Sequence, residues 1–542
     1  MSDGENERQD KMSLEKSPPQ LAVHSSAASD SLITLTADEE RKLWRKIDLR
    51  LMPILSLMYL ILTSYVLGYI ANIGNARLQG LETQLGLTGN EFNIALTMFF
   101  IHGSEVVLAL EMAPWHHSLP PPHPQLFSIF NSFKVIWGLV TLAMGFVRTY
   151  VASRMYGYSP ARRSYQQLVV VRILLGITEA GLFPGVAYYL TLWYPRHMLQ
   201  WRIGLFFGAA SLAGAFGGAL AFGIGFMSGT RGLLGWAWIF ILEGLATVVV
   251  GMVGFLVLVD FPATAKFLTA EERAFVVLKK KYDNSSVGEE EHFETRHVVQ
   301  ALTDWQVWLH MLILMSAITN LYGITLFLPT IINAFGHSAA VSQLLTVPPY
   351  VGDFYHRAGE TSTEPPNLHQ MAAMVLFIFA YWSDRLKLRS PFIFAGFLLS
   401  LVGFAINISS ASGGVKYFGT FFCVTGAYAA VPGIIAWLGN NLSGQTKRGI
   451  GIAFQIGIGH FGGTFASNMY RTQDAPRFIV GHGCELMFVA IGLISVVATV
   501  LISHRVNRRR DEDAHAVLGK KVYSDDDLRR MGDRAPDFRY TL

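Results

Sequence analysis

Two ionisable residues stand inside one apolar run, Arg172 and Glu179 in VRILLGITEAG. A charge at the middle of a bilayer costs about 3 kcal/mol on insertion scales, so such a residue faces a partner or a watery cavity. Seven residues are close to two helical turns, which puts both side chains on one helix face, about 10 Å apart along the axis. A cation and a titratable carboxylate on one stripe suit the joint movement of an anion and a proton. Arg172 would pair with a substrate carboxylate, and Glu179 would take up and release the proton as its surroundings dry and wet. The alternative is an Arg–Glu pair that locks neighbouring helices.

Weaker signals lie elsewhere. Glu243, in FILEGLA, either faces the same cavity in a proton-coupling role or pairs with Arg172 or a backbone group. Asn320 and Tyr322, in TNLYGIT, have the groups to hydrogen-bond a substrate, and Gly323 beside them permits a kink. The same cluster reads equally as a packing feature. Gly204 and Gly208, then Gly214 and Gly218, repeat small residues at a spacing that lets helices approach closely. Histidines are scattered without metal-ligand spacing, and there is no phosphate-binding loop. Cys423 and Cys484 lie in apolar runs and define no disulfide framework. No enzyme, cofactor or metal is expected, and with a net charge of only +4 no nucleic-acid partner.

The elements that must position these residues are membrane helices. The chain is 51% hydrophobic and 15% charged, against about 25% charged in soluble domains. From Leu51 to Ala76 there is no Lys, Arg, Asp or Glu, a stretch longer than the roughly 20 residues that cross a bilayer core. Twelve spans are expected, near 51–73, 91–112, 126–147, 168–193, 203–227, 235–258, 305–333, an interrupted one from 341, then 391–409, 418–439, 449–468 and 482–503. The fold class is therefore an all-α polytopic membrane protein. Residues 1–40 read as a disordered tail, 41–258 and 305–503 as two sets of six spans, 259–304 as a central loop and 504–542 as a second tail. Lys and Arg gather before the first span, in the central loop and after the twelfth, which makes both termini cytoplasmic.

Three segments break this pattern: 113–125, 148–166 and 352–370. The last divides the eighth span into two pieces, each too short to cross. All three end in glutamine, at Gln125, Gln166 and Gln370. CAG encodes Gln and also ends many introns, so retained intron sequence is the expectation, against genuine loop insertion; sequencing the transcript separates the two.

The stretches RKIDLRLMPIL (45–55), NIGNARLQGLE (72–82), VRILLGITEAGLFPGVAYYLTLWYPR (171–196), SDRLKLRSPF (383–392), NLSGQTKRGIG (441–451) and YSDDDLRRMGDRAPDFRYTL (523–542) resemble the major facilitator superfamily, in particular its fungal allantoate permease group of anion:cation symporters. Members of that group carry nicotinate, pantothenate, biotin or allantoate. The resemblance implies two six-helix bundles around a central cavity, rocking to expose it to either side. It implies Arg172, Asn320 and Tyr322 as substrate-binding residues and Glu179 and Glu243 as proton-coupling residues. Asp384, Arg385 and Arg389 match the superfamily's signature between spans eight and nine, whose cytoplasmic salt bridges hold the outward-open state. Positive-inside charge alone explains the Arg residues but not the Asp.

One departure stands out. Where the group has Asp-Arg before Asn-Ile-Gly-Asn, near the end of span one, this chain has Tyr69 and Ile70. In relatives that Asp and Arg help bind proton and anion. The expectation is a monomeric plasma-membrane carrier for proton-coupled uptake of a small organic anion. The alternatives are a non-transporting nutrient sensor or defective paralogue, and a carrier of neutral or peptide-like solutes.

Overall fold

Helix starts are where the sequence writes its structure most plainly. The computed structural model describes residues 35–112, 126–147, 160–179, 182–259, 261–281, 295–351, 371–515 and 523–542. Thr36 caps α1 (Ala37–Leu78): its hydroxyl accepts from the Glu39 N–H, and the Glu39 carboxylate accepts from the Thr36 N–H. Residues 37–40, expected in the flexible tail, are thus the first turn of a helix. After α1 come α2 (Glu91–Met112), α3 (Leu126–Met144), α4 (Pro160–Glu179), α5 (Leu182–Trp193), α6 (Leu199–Gly225) and α7 (Gly235–Val257). The central connection carries α8 (Ala270–Lys281) and α9 (Thr295–Leu302). The second half holds α10 (Trp305–Ala334), α11 (Ala339–Leu345), α12 (Val347–Val351), α13 (Met371–Leu386), α14 (Ser390–Ile408) and α15 (Gly413–Asn441). It ends with α16 (Gln445–Gly459), α17 (Phe461–Met469), α18 (Ile479–His515) and α19 (Asp525–Met531).

Among the described residues five helices are long and apolar enough to cross a bilayer unaided: α7, α10, α14, α15 and α18. Other expected spans are broken. The eleventh is α16 and α17 meeting at His460, and the eighth opens with α11 and α12 meeting at Thr346; residues 180–181, between α4 and α5, lie outside the described residues. Segments 113–125 and 352–370 and residues 148–159 lie outside the described residues. Residues 160–166, expected as the end of an insertion, instead form the first turns of α4, opened by Pro160 at the first position, where proline is well suited.

Tight crossings hold each half together. On α7, a Cβ at Gly244 would lie 2.5 Å from the Leu142 nitrogen of α3, so only glycine permits that approach. On α15, a Cβ at Gly426 would lie 2.4 Å from the Gly396 carbonyl of α14. In the first half α1 also packs along α6 and α2 against α4; in the second, α10 packs against α18. The halves meet where α1 lies on α10, α2 on α16 and α17, and α6 on α13. α10 and α15 sit at the centre of the second half, their apolar side chains buried on nearly all sides. The starts of α1, α6, α10 and α16 and the ends of α13 and α18 share one end of the molecule, the terminal face, tied there by Arg202–Asp48 and Lys447–Asp304 contacts.

Candidate functional site

The residues expected to carry the chemistry come from α4 and α7 in the first half and α10 in the second. Arg172 lies in α4 with 1% of its surface exposed. Glu179 is the last described residue of that helix, and its Oε2 is enclosed without a hydrogen-bond partner among the described residues. Tyr322 is buried in α10 of the other half. Its ring stands 4.8 Å from Phe100 of α2 and 6.3 Å from His460, at the break in the eleventh span. Asn320 is buried two residues earlier, and neither polar atom of its amide has a partner among the described residues. A donor–acceptor pair left so in a buried site is suited to a polar ligand. The structure places Arg172 and Glu179 on α4, which packs on α2 and α3 within the first half, and Asn320 and Tyr322 on α10, which meets α1 across the seam. Glu243 is buried in α7 beside Gly244, and α7 packs on α1, α3 and α6, all in the first half. Tyr69 and Ile70 fall in the helical path of α1, and their side chains lie outside the described residues.

At the terminal face a polar network joins the halves. Arg389, 1% exposed, donates to Gln200 Oε1 at 2.9 Å, to Ser383 Oγ at 3.0 Å, to Asp384 Oδ1 at 2.5 Å and to the Arg196 carbonyl at 3.2 Å. Asp384 does a second thing. Helix α6 starts at Met198, which offers no side-chain cap. The first N–H groups of a helix have no partner within it, and the one on Trp201 donates to Asp384 Oδ2 at 2.7 Å. A carboxylate from α13 of the second half thus caps a helix of the first, where the helix dipole also favours it. That accounts for the Asp that topology left unexplained. Arg385 is not part of this network: it reaches Tyr381 at 3.2 Å and lies over the Trp382 ring. Alongside, Gly208 of α6 faces the Phe377 ring of α13, and an added Cβ would lie 2.6 Å from it. The Gly204–Gly208 pair thus serves the contact between halves; Gly214 and Gly218 lie outside the described side chains.

The opposite face is closed too. Asn93 of α2 donates to the Ser467 carbonyl of α17 at 2.8 Å, and Asn468 donates to Thr97 Oγ1 at 2.8 Å. Gln343 of α11 donates to the Asn75 carbonyl of α1 at 3.3 Å.

Sequence reasoning passes over a third feature. Residues 532–542 fold back on the terminal face. Asn441 both donates to the Thr541 carbonyl at 3.1 Å and accepts from its N–H at 2.7 Å, and Asn507 does the same for Tyr540 at 2.8 and 2.9 Å. Trp437 donates to Thr541 at 2.8 Å, and the Arg389 N–H donates to the Leu542 oxygen at 2.6 Å. Lys447 bridges Asp304, which caps α10, and Asp533, each at 2.7 Å. Arg196 lies over the Phe538 ring, so the segment touches both halves. Amides spaced through helix ends carry no signal of such a dock in sequence alone.

Apolar helices in two halves, charged residues buried within them and polar closures at both faces fit a membrane carrier. The chain belongs to the major facilitator superfamily: the profile described as Major Facilitator Superfamily matches residues 51–467. It is a secondary transporter, of a family of transporters rather than enzymes. The MFS-type transporter cnsO of Penicillium expansum is 29% identical, over 98% of this chain and 100% of that protein. The high-affinity nicotinic acid transporter of Saccharomyces cerevisiae is 29% identical, over 92% and 85%. The major facilitator-type transporter hxnP of Emericella nidulans is 28% identical, over 98% and 99%. Among solved structures, the proton:xylose symporter XylE superposes with a TM-score of 0.56 at 15% identity, over 82% of this chain and 94% of that one. That likeness shows the fold, which is the expected major facilitator fold.

Proposed function

We propose that this chain is a plasma-membrane symporter of the allantoate permease group, with twelve spans and both termini cytoplasmic. It takes up a small organic anion together with a proton, working as a monomer. The observation that carries the reading is Arg172 buried and Glu179 on the same helix, the Oε2 of Glu179 enclosed without a hydrogen-bond partner among the described residues. Arg172 binds the anion's carboxylate, Asn320 and Tyr322 hydrogen-bond its remainder, and Glu179 carries the proton. Binding that neutralises charge at the seam lets the halves close around it and reopen on the other side. The 29% identity to a nicotinic acid transporter supports a carboxylate of that size.

The test is uptake in transporter-deficient yeast, with labelled nicotinate, pantothenate and allantoate, in acidic and neutral medium. Uptake of one of them is expected to be faster in acid and lost in Arg172→Ala. Glu179→Gln is expected to flatten the pH dependence. No anion uptake by protein at the cell surface defeats the reading.

A second reading rests on Tyr69 and Ile70 in place of the group's Asp-Arg. Loss of both charges favours a neutral or peptide-like solute, and adding such solutes to the panel separates the two.

A further inference from the structure

Glu485 lies in α18 with 0% of its surface exposed, and neither carboxylate oxygen has a hydrogen-bond partner among the described residues. It is pressed against the backbone of α10: a Cβ on Gly323 would fall 1.7 Å from Glu485 Oε1. Gly323 follows Tyr322, so the Glu485 carboxyl packs beside a residue expected to bind substrate.

α10 presents Gly323, and α15 presents the Cys423 thiol, which with the Tyr470 hydroxyl lies within electrostatic reach of the carboxylate. Tyr470 is engaged with His482 Nδ1 at 3.0 Å, one turn before Glu485. α14 contributes the uncharged Asn407, which donates to Cys423 Sγ at 3.6 Å. Lys416 is near His482 and forms no ion pair with Glu485 among the described residues. An ionised carboxylate buried without a cation or donor is several kcal/mol out of place. A proton satisfies it.

We propose that Glu485 is a second proton-binding group of this carrier, loaded while Gly323 lies against it and discharged when α10 moves away. The proposal rests on the proton-symport reading and extends it to the second half. Discharge breaks the carboxyl O–H bond and passes the proton to water admitted along α10; reloading reverses this. Because Gly323 of α10 lies against Glu485, a displacement of this helix changes the surroundings of that acid.

The experiment needs no substrate: infrared difference spectroscopy on the purified full-length protein in lipid nanodiscs as buffer pH is stepped. The expected result is a protonated-carboxyl stretching band, sensitive to deuterium, that disappears reversibly on raising pH while circular dichroism stays unchanged. This band is expected to be lost in Glu485→Gln and kept in Glu179→Gln. Glu485→Asp should keep a band at a shifted frequency. Gly323→Ala should also shift it, since the methyl displaces the carboxyl. A band set identical in wild type and Glu485→Gln overturns the proposal. So does a Glu485 band that never discharges while the protein stays folded, which marks a permanently neutral packing group. Failure of the symport reading shows separately, as wild-type uptake that does not respond to pH.

Discussion

Asp384 and Arg389 show how much one pair of side chains does at the terminal face. Arg389 gathers Gln200, Ser383 and the Arg196 carbonyl, and Asp384 balances its charge while capping α6. Asp384 and Arg389 both belong to the second half, so opening keeps their pair and breaks the bonds that cross to Trp201, Gln200 and Arg196. A hydrogen bond to a charged group contributes about 1.5–3 kcal/mol net. Asp384→Ala removes the one to Trp201 and should therefore raise the open population on the order of tenfold or more, at about 1.4 kcal/mol per factor of ten. Spin labels at the exposed Leu49 and Leu386 would report this as a longer distance. Asp384→Asn keeps an acceptor for the Trp201 N–H and should fall between; a distance unchanged in both variants removes Asp384 from the gate. Arg172, Glu179 and the charged loop were legible because charge inside or beside an apolar run is rare. Gln200 and Ser383 were not, since uncharged polar residues in such runs are common and only the fold shows which of them meet Arg389. Glu485 stands near the start of a strongly apolar segment, where a lone acid reads as the edge of a span.

Elements were legible where local rules act alone. Apolar length located α7, α10, α14 and α15 within a few residues of their observed bounds. It did not locate the break at His460, although Gly459, Gly462 and Gly463 lie beside it. Nor did it foresee the dock of residues 532–542, which reads as a polar tail. That segment is held by reciprocal pairs at Asn441 and Asn507, each bonding both the N–H and the carbonyl of one residue. At about 1 kcal/mol net per hydrogen bond, Asn441→Ala or Asn507→Ala should weaken the dock by about 2 kcal/mol. The undocked population then rises on the order of thirtyfold. Trypsin cleavage after Arg539 should accelerate accordingly, followed by mass spectrometry in nanodiscs. Equal cleavage rates in wild type and both variants would show that the dock does not protect this segment.

For the whole molecule, the arrangement closed at both faces sets a constraint on motion. α2 meets α17 through Asn93, Thr97, Ser467 and Asn468 at the opposite face, and α6 meets α13 through Trp201, Asp384 and Gly208 at the terminal face. Both closures lie between halves, while the contacts within each half, such as Gly244 on α3 and Gly426 on α14, are backbone-tight. Rigid halves joined by separable polar seams rock rather than deform. If the two faces open alternately, preventing one from opening redistributes the population over the states that remain. Thr97 and Asn468 are within hydrogen-bond distance, so the pair Thr97→Cys and Asn468→Cys, with Cys423 and Cys484 replaced, should form a disulfide that staples the opposite face. The Leu49–Leu386 label distance should then shift toward its longer value, and a reductant should return it. A terminal-face distribution indifferent to the staple would mean that the two faces move independently, which a carrier alternating between them does not allow.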